Sequence, residues 1–292
     1  MKTLINCLLF SCLLQPASGQ TNTVPVDSVT LAFSNPAAGF QANLEGLLQW
    51  PARPGHYPLV VFIHGSGRGT RYEYSNLFSY FLEKGFAVFS YDKRGVNKST
   101  GMYNGVGPKN SLMMIPLLAG DCYEAIETIK DRPEIDSTEI LLVGASQAGW
   151  IIPVVASMSR RVSRYIVLYG PTVSVGEEIF YSRFTENGPA TIAEAQEMMM
   201  GYTGLKGFDP LPYLAQIKQK GLWIFGGKDH SIPTGRSVQI LDSLNKTDPE
   251  LNAIKLYPGA GHGLRNEQTG LYENYIPFIF EWIEQNSTKR SF

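Results

Sequence analysis

A chain of 292 residues, 43% hydrophobic and 17% charged, carries enough apolar material for a full globular core, as one large domain or two small ones. A net charge of −1 and a pI near 6.4 leave no electrostatic footprint for nucleic acid, and no Lys/Arg cluster marks a polybasic membrane patch. The composition therefore argues against polyanion partners.

At the N-terminus, Lys2 precedes the apolar stretch Leu4 to Leu14, and Pro16-Ala17-Ser18-Gly19-Gln20 follows. That is the charged, hydrophobic and small-residue order of a secretory signal peptide, with cleavage expected after Gly19, so that residues 1–19 are a leader and 20–292 the mature protein. The apolar run is too short to span a bilayer, so no stable membrane insertion is expected, and the protein is expected to be exported, periplasmic or secreted. Leu9-Phe10-Ser11-Cys12 is a weaker match to a bacterial lipobox, because Phe10 is bulky and two leucines follow Cys12. Processing at Gly19 would remove Cys7 and Cys12, leaving Cys122 alone with no intrachain disulfide to form.

Beyond the leader, Val24 to Phe33 and Phe40 to Trp50 flank a turn and read as an antiparallel pair. Apolar, β-rich runs then recur at Leu59–Ile63, Phe86–Tyr91, Ile140–Val143, Tyr165–Tyr169, Leu222–Phe225 and Ile254–Tyr257, as strands buried on both faces do. Helical periodicity separates them at Tyr74–Lys84, Ser111–Lys130, Trp150–Ser159, Val238–Leu244 and Leu271–Gln285. Strand-helix alternation of this kind predicts an α/β fold built on a mostly parallel sheet with helices on both faces. The long interval from Val175 to Gln219 breaks the rhythm and is expected to form a small helical cap.

The most informative segment is Gly144-Ala145-Ser146-Gln147-Ala148-Gly149, directly after a predicted strand. Small residues around a serine at a strand end describe a nucleophile elbow, in which the tight turn projects Oγ outward and a helix start offers its N–H groups to an oxyanion. A serine hydroxyl needs a base and a carboxylate to hold that base in the useful tautomer. Of the four histidines, His262 stands in a glycine-rich loop just beyond the last strand and is the expected base, whereas His56 reads as an exposed loop residue and His64 as a buttress. Asp229 follows the preceding strand and is the expected acid, with Glu177 and Glu178 as alternates. The order Ser, Asp, His fits an α/β-hydrolase arrangement. Ile63-His64-Gly65-Ser66-Gly67 supplies the oxyanion loop, so the expected donors are the backbone of Gln147 and of Ser66 or its neighbour.

Three further runs, Tyr91-Asp92-Lys93-Arg94-Gly95 through Gly101, Arg132-Pro133-Glu134-Ile135-Asp136 and Ser146-Gln147-Ala148-Gly149-Trp150, complete a resemblance. From about Leu59 to the C-terminal helix the chain resembles α/β-hydrolases of the esterase, dienelactone hydrolase and serine aminopeptidase-like group. The resemblance implies a two-step acyl hydrolase with Ser146, Asp229 and His262 as triad, and Asp92 and Arg94 as a structural ion pair. It departs from the pattern where Ala148 and Asn97 stand in place of glycine; alanine is still small, and asparagine tolerates the left-handed region.

Arg68, Trp150, Phe180 and Met199 are candidate substrate contacts. Arg68 and Arg71 either meet an acidic substrate group or are solvated, and the Met198–Met200 run with Phe180, Tyr181 and Phe184 either lines a pocket or forms core. The expected reaction is hydrolysis of a small-molecule carboxylic ester through an acyl-enzyme, with no metal or organic cofactor required. Amide or peptide cleavage and thioesterase action use the same machinery, and a non-catalytic protein that holds an apolar ligand is the alternative outside enzymes.

Overall fold

The computed structural model describes residues 24–186 and 188–287; the expected leader, its cleavage site and Cys12 lie outside them. Strands β1 (Val26–Asn35), β2 (Ala42–Pro51), β3 (Tyr57–Ile63), β4 (Ala87–Tyr91), β5 (Ile135–Ala145), β6 (Val162–Leu168), β7 (Lys220–Gly226) and β8 (Asn252–Tyr257) form one sheet. Its order is β1-β2-β4-β3-β5-β6-β7-β8. The β1–β2 and β2–β4 pairs are antiparallel, and every later pair is parallel.

Helices α1 (Ser75–Glu83), α2 (Ser111–Ile129), α3 (Ala148–Met158), α4 (Val175–Thr185), α5 (Ile192–Met200), α6 (Leu211–Leu214), α7 (Thr234–Asn245) and α8 (Ile276–Gln285) fill the connections. The last helix starts later than its apolar pattern suggests. Residues 271–275 instead run past the histidine loop, where Arg265 and Tyr272 form an isolated bridge, and Pro277 enters in the first helical turn.

Both faces of the sheet are buried, and strand alternation sorts side chains between them. In β3, Leu59, Val61 and Ile63 join the core under α2 and α3, while Val60 and Phe62 join the core under α1 and α8. Trp223 and Phe225 in β7 divide from Leu222 and Ile224 in the same way. This explains why the strands read as continuous apolar runs instead of alternating ones.

The interval between β6 and β7 carries α4, α5 and α6. Ser174 with Glu177, and Thr191 with Glu194, close reciprocal capping boxes that start α4 and α5. The two helices share a small core of Val173, Tyr181, Ala195 and Met199. Among the described residues, no helix is long and apolar enough to cross a membrane.

Candidate active site

The parallel strands end along one edge, and the chemistry-bearing residues gather there. Ser146 follows the last residue of β5 with φ +54, a left-handed conformation that non-glycine residues seldom adopt. Its N–H donates to the Leu168 carbonyl at 2.9 Å, and its own carbonyl accepts from Gly149 N–H at 2.9 Å. The turn leaves no space around it. A Cβ on Gly144 would lie 2.5 Å from that of Ala148, and one on Gly149 would lie 2.5 Å from the Pro171 carbonyl oxygen. Ser146 remains partly accessible between buried neighbours, with α3 beginning two residues on.

Asp229 follows β7 and is 1% exposed. The N–H groups of Ser231 and Ile232 both donate to its Oδ1 at 2.8 Å, which fixes the carboxylate plane. The other oxygen, Oδ2, lies 2.9 Å from His262 Nδ1. His262 begins a short 3₁₀ turn, His262–Leu264, in which Gly263 (φ +74) and Leu264 (φ +61) bend the chain back toward the sheet. Its side chain is 34% exposed whereas that of Asp229 is sealed, so one face of the imidazole is open to a reactant. Burial works to lower the His262 pKa, but the Asp229 charge and hydrogen bond, with Glu186 behind them, raise it above the ordinary value. Tyr169, next after β6, packs its ring edge-on against the imidazole at 4.9 Å between centroids. Leu168, its neighbour, is the residue that holds the Ser146 N–H. The end of β6 therefore connects the serine and the histidine.

The third segment is the loop after β3. Gly65 passes so close to the serine that an added Cβ would stand 3.4 Å from Ser146 Cβ. Ser66 is exposed, and its carbonyl accepts from the Tyr103 hydroxyl at 2.6 Å. His64 is buried under this loop, with Nε2 at 2.8 Å from the Tyr91 carbonyl and Nδ1 facing Glu73 at 3.5 Å. His56 is exposed, and His230 bonds the Thr185 carbonyl from the α4 side at 3.1 Å.

Several residues stand elsewhere than the sequence suggests. Asp92 and Arg94 do not pair with each other. Asp92 faces Arg71 at 3.1 Å, and Arg94 makes a two-pronged contact with Asp121 on α2. Arg71 is buried between Glu45 and Asp92, so it is neither solvated nor free for substrate. The Arg68 guanidinium donates to the Gly95 carbonyl at the surface. Trp150 is 5% exposed and spends its indole N–H on the Val173 carbonyl at 2.8 Å, which makes it core and not a substrate contact. Met199 is likewise buried inside the small α4–α5 core. Phe180 stays half-buried, tilted against Phe184 and Tyr202. Glu177 is consumed by its capping box. Glu178 faces Asp229 and Glu186, and burial followed by their charge pushes its carboxyl up to about 8.

Sequence reasoning missed Tyr169 and Tyr103, and left Tyr181 between pocket and core; the structure buries it in the α4–α5 core. Tyr181 reaches from α4 to donate to the Asp229 carbonyl at 2.7 Å, tying the insertion to the acid loop. No local pattern marks these tyrosines, since each acts on a residue more than 35 positions away.

The comparisons with known proteins agree with this fold. A model of the prolyl oligopeptidase family matches residues 72–290. Uncharacterized protein YfhR of Escherichia coli (strain K12) is 26% identical over 190 residues, which cover 64% of this chain and 58% of that protein. Acyl-coenzyme A thioesterase 1 of Rattus norvegicus is 25% identical over 234 residues, covering 76% and 52%. The chain thus spans about half the length of the curated relatives it matches. Among solved structures, the Pyrococcus furiosus esterase Pf2001 superposes with a TM-score of 0.64 at 15% identity, over 93% of this chain and 96% of that one. Pyrococcus horikoshii acylaminoacyl peptidase gives 0.66 at 17% identity, over 91% of this chain and 42% of the other. With the family match running over well more than half of its length and the sheet order of an α/β-hydrolase, the chain belongs to the prolyl oligopeptidase family.

Proposed function

We propose that the protein is an exported serine hydrolase that cleaves a carboxylic ester through an acyl-enzyme, with Ser146 as nucleophile, His262 as base and Asp229 as the group that orients it. The observation that carries this reading is the 2.9 Å contact between His262 Nδ1 and an Asp229 carboxylate already held by two backbone N–H groups, on the same sheet edge as the left-handed Ser146. A carboxylate accepting from Nδ1–H leaves the Nε2 lone pair free to take a proton.

In the first step Ser146 Oγ bonds to the ester carbonyl carbon while its proton passes to His262 Nε2. The carbonyl oxygen becomes an oxyanion that the N–H groups of Gln147 and Ser66 stabilise. Collapse expels the alcohol, which takes its proton from His262, and the acyl group stays on Ser146. Water then gives a proton to His262 and attacks the acyl carbon, and collapse releases the acid while His262 returns the proton to Ser146 Oγ. Each oxyanion donor contributes about 3 kcal/mol of transition-state stabilisation in such sites.

Amide hydrolysis is the second reading, favoured by the family match and by the likeness to an acylaminoacyl peptidase. A thioester substrate is suggested by the acyl-coenzyme A thioesterase relatives. Hydrolysis of p-nitrophenyl esters from acetate to laurate, run beside aminoacyl p-nitroanilides and acyl-coenzyme A, separates the three. Ester turnover that disappears in Ser146→Ala supports the proposal. Turnover confined to the anilides, or to acyl-coenzyme A, replaces the ester by that substrate class.

A further inference from the structure

Lys93 is the third residue of the stretch Tyr91-Asp92-Lys93-Arg94, and the proposed reaction gives it no part. It is 3% exposed. Burying an ammonium costs several kcal/mol unless its protons find acceptors. Here three neutral oxygens accept them, with Nζ 2.6 Å from the Gly65 carbonyl, 3.4 Å from the Gly67 carbonyl and 2.8 Å from Gln147 Oε1, yet burial still outweighs the charges of Glu73 and Asp121 and lowers the Lys93 pKa to about 7. Its charge also sits 3.9 Å from the centre of the Tyr103 ring. The Tyr103 hydroxyl in turn contacts the Ser66 carbonyl at 2.6 Å and Gln147 Oε1 at 3.3 Å. The backbone of Lys93 adds a further tie, its N–H donating to Gly69 at 3.1 Å.

The two oxyanion donors come from segments about eighty positions apart, the loop after β3 and the start of α3. Ser66 lies between the two carbonyls that the Lys93 ammonium holds, and Gln147 is the residue whose side chain it holds. A loop of three residues with two glycines, Gly65-Ser66-Gly67, has wide conformational freedom of its own. The Gly65 carbonyl turned toward Lys93 obliges the Ser66 N–H of the same peptide to point the other way, because C=O and N–H of a trans peptide point oppositely.

We propose that Lys93 is a positioning residue of the oxyanion hole, whose ammonium locks the Ser66 loop to Gln147 so that their backbone N–H groups converge on one oxygen. The inference rests on the reading of Ser146 as nucleophile. It assigns to Lys93 an effect on the tetrahedral state and none on ground-state binding.

The test compares Lys93→Met, which keeps the buried stem and removes the charge, with Tyr103→Phe, which removes only the hydroxyl. Both are measured with a p-nitrophenyl ester and with a trifluoromethyl ketone, to whose carbonyl carbon Ser146 Oγ adds reversibly, its proton going to His262 and the oxygen becoming the oxyanion. Lys93→Met is expected to lower kcat about 10- to 100-fold, the range left by a misaimed donor, with KM within about twofold. Inhibition by the ketone is expected to weaken by the same factor as kcat/KM. Tyr103→Phe moves both quantities in the same direction by less, and serves alone should Lys93→Met fail to fold. The proposal is overturned if kcat of the folded variant stays within about twofold of wild type, or if kcat falls while affinity for the ketone is unchanged. If Ser146→Ala keeps full activity, it is the nucleophile assignment that fails; if Ser146→Ala is dead and Lys93→Met is not, the lysine assignment alone fails.

Discussion

Removing the Asp121 carboxylate tests how the loop behind the site is anchored. Arg94 and Asp121 are each 1% exposed and meet through two contacts, Nε to Oδ2 at 2.7 Å and Nη2 to Oδ1 at 2.5 Å. Asn35 Nδ2 adds a third hydrogen bond to Oδ1 at 2.8 Å, and the remaining Arg94 contact is the Phe40 carbonyl at 3.1 Å. Asp121→Ala leaves a guanidinium buried with one acceptor, and breaking such a pair costs about 3–5 kcal/mol. For a chain of this size each kcal/mol moves the melting temperature by about 2–4 °C, so the variant should melt roughly 6–20 °C lower. Arg94→Met with Asp121→Leu removes both charges together and should recover most of that loss, because no ion is left unpaired. Urea titration of Arg94→Met, Asp121→Leu and the double variant gives the coupling energy directly. A coupling of Arg94 to Asp92 larger than that to Asp121, or an Asp121→Ala loss below about 1 kcal/mol, would refute the argument.

Four further outcomes follow from the site. Ser146→Ala should reduce ester turnover at least 10³-fold, and Asp229→Asn should act comparably by presenting the wrong His262 tautomer, both read as kcat. Since catalysis needs neutral His262 and its pKa is raised, kcat/KM should be lost as pH falls through a value above 6.5; Glu186→Gln withdraws one of the raising charges, so its acidic limb should move to lower pH, and a limb that stays in place contradicts the assignment. Glu178 holds its proton to about 8 when folded but only to the ordinary carboxyl range when unfolded, so it subtracts stability increasingly as pH rises from about 4.5 to 8. Glu178→Gln should therefore raise the melting temperature at pH 8 and leave it nearly unchanged at pH 4. Gly149→Ala presses a methyl onto the Pro171 carbonyl, a backbone atom unable to step aside, and should cost about 1–3 kcal/mol in urea unfolding.

Much of this was legible in the chain because it is local. The elbow shows itself by small residues within five positions of Ser146, and the strands by apolar runs that burial on both faces demands. Asp229 and His262 are singled out by their places after successive strands, and the structure brings the two side chains together. What escaped is set by contacts between distant segments. Arg94 has Asp92 two residues away, and strand alternation would set both on one side, yet the chain turns at Arg94-Gly95 (Gly95 φ +68) just after β4 and parts their side chains, one to Arg71 and the other to Asp121 on α2. Trp150 and Met199 look like pocket residues by type, but only the packing of α3 against the 171–173 segment and of α4 against α5 shows their faces closed. The left-handed Asn97, φ +49, was readable as a position favouring glycine, whereas the bond from its amide to Asp92 Oδ2 at 2.8 Å was not.

Three consecutive charges, Asp92, Lys93 and Arg94, are 0%, 3% and 1% exposed, an arrangement that desolvation forbids unless every one is matched. Each is matched by a different part of the molecule. Asp92 takes the Arg71 guanidinium on Oδ2 and the Arg71 backbone N–H on Oδ1 at 3.0 Å; Lys93 takes the oxyanion loop and Gln147; Arg94 takes Asp121. The stretch works as a bracket, bolted to the sheet side by Asp92 and to α2 by Arg94, with the lysine between them held out toward the site. A bracket of this form separates two kinds of damage. Neutralising either outer charge should lower stability and reduce activity only as far as the bracket shifts. Neutralising the central one should leave the fold in place and reduce kcat, because its partners are the segments that meet the oxyanion and not the frame. Equal losses of stability at all three positions would mean that Lys93 is a third bolt, and that the oxyanion loop holds its shape without it.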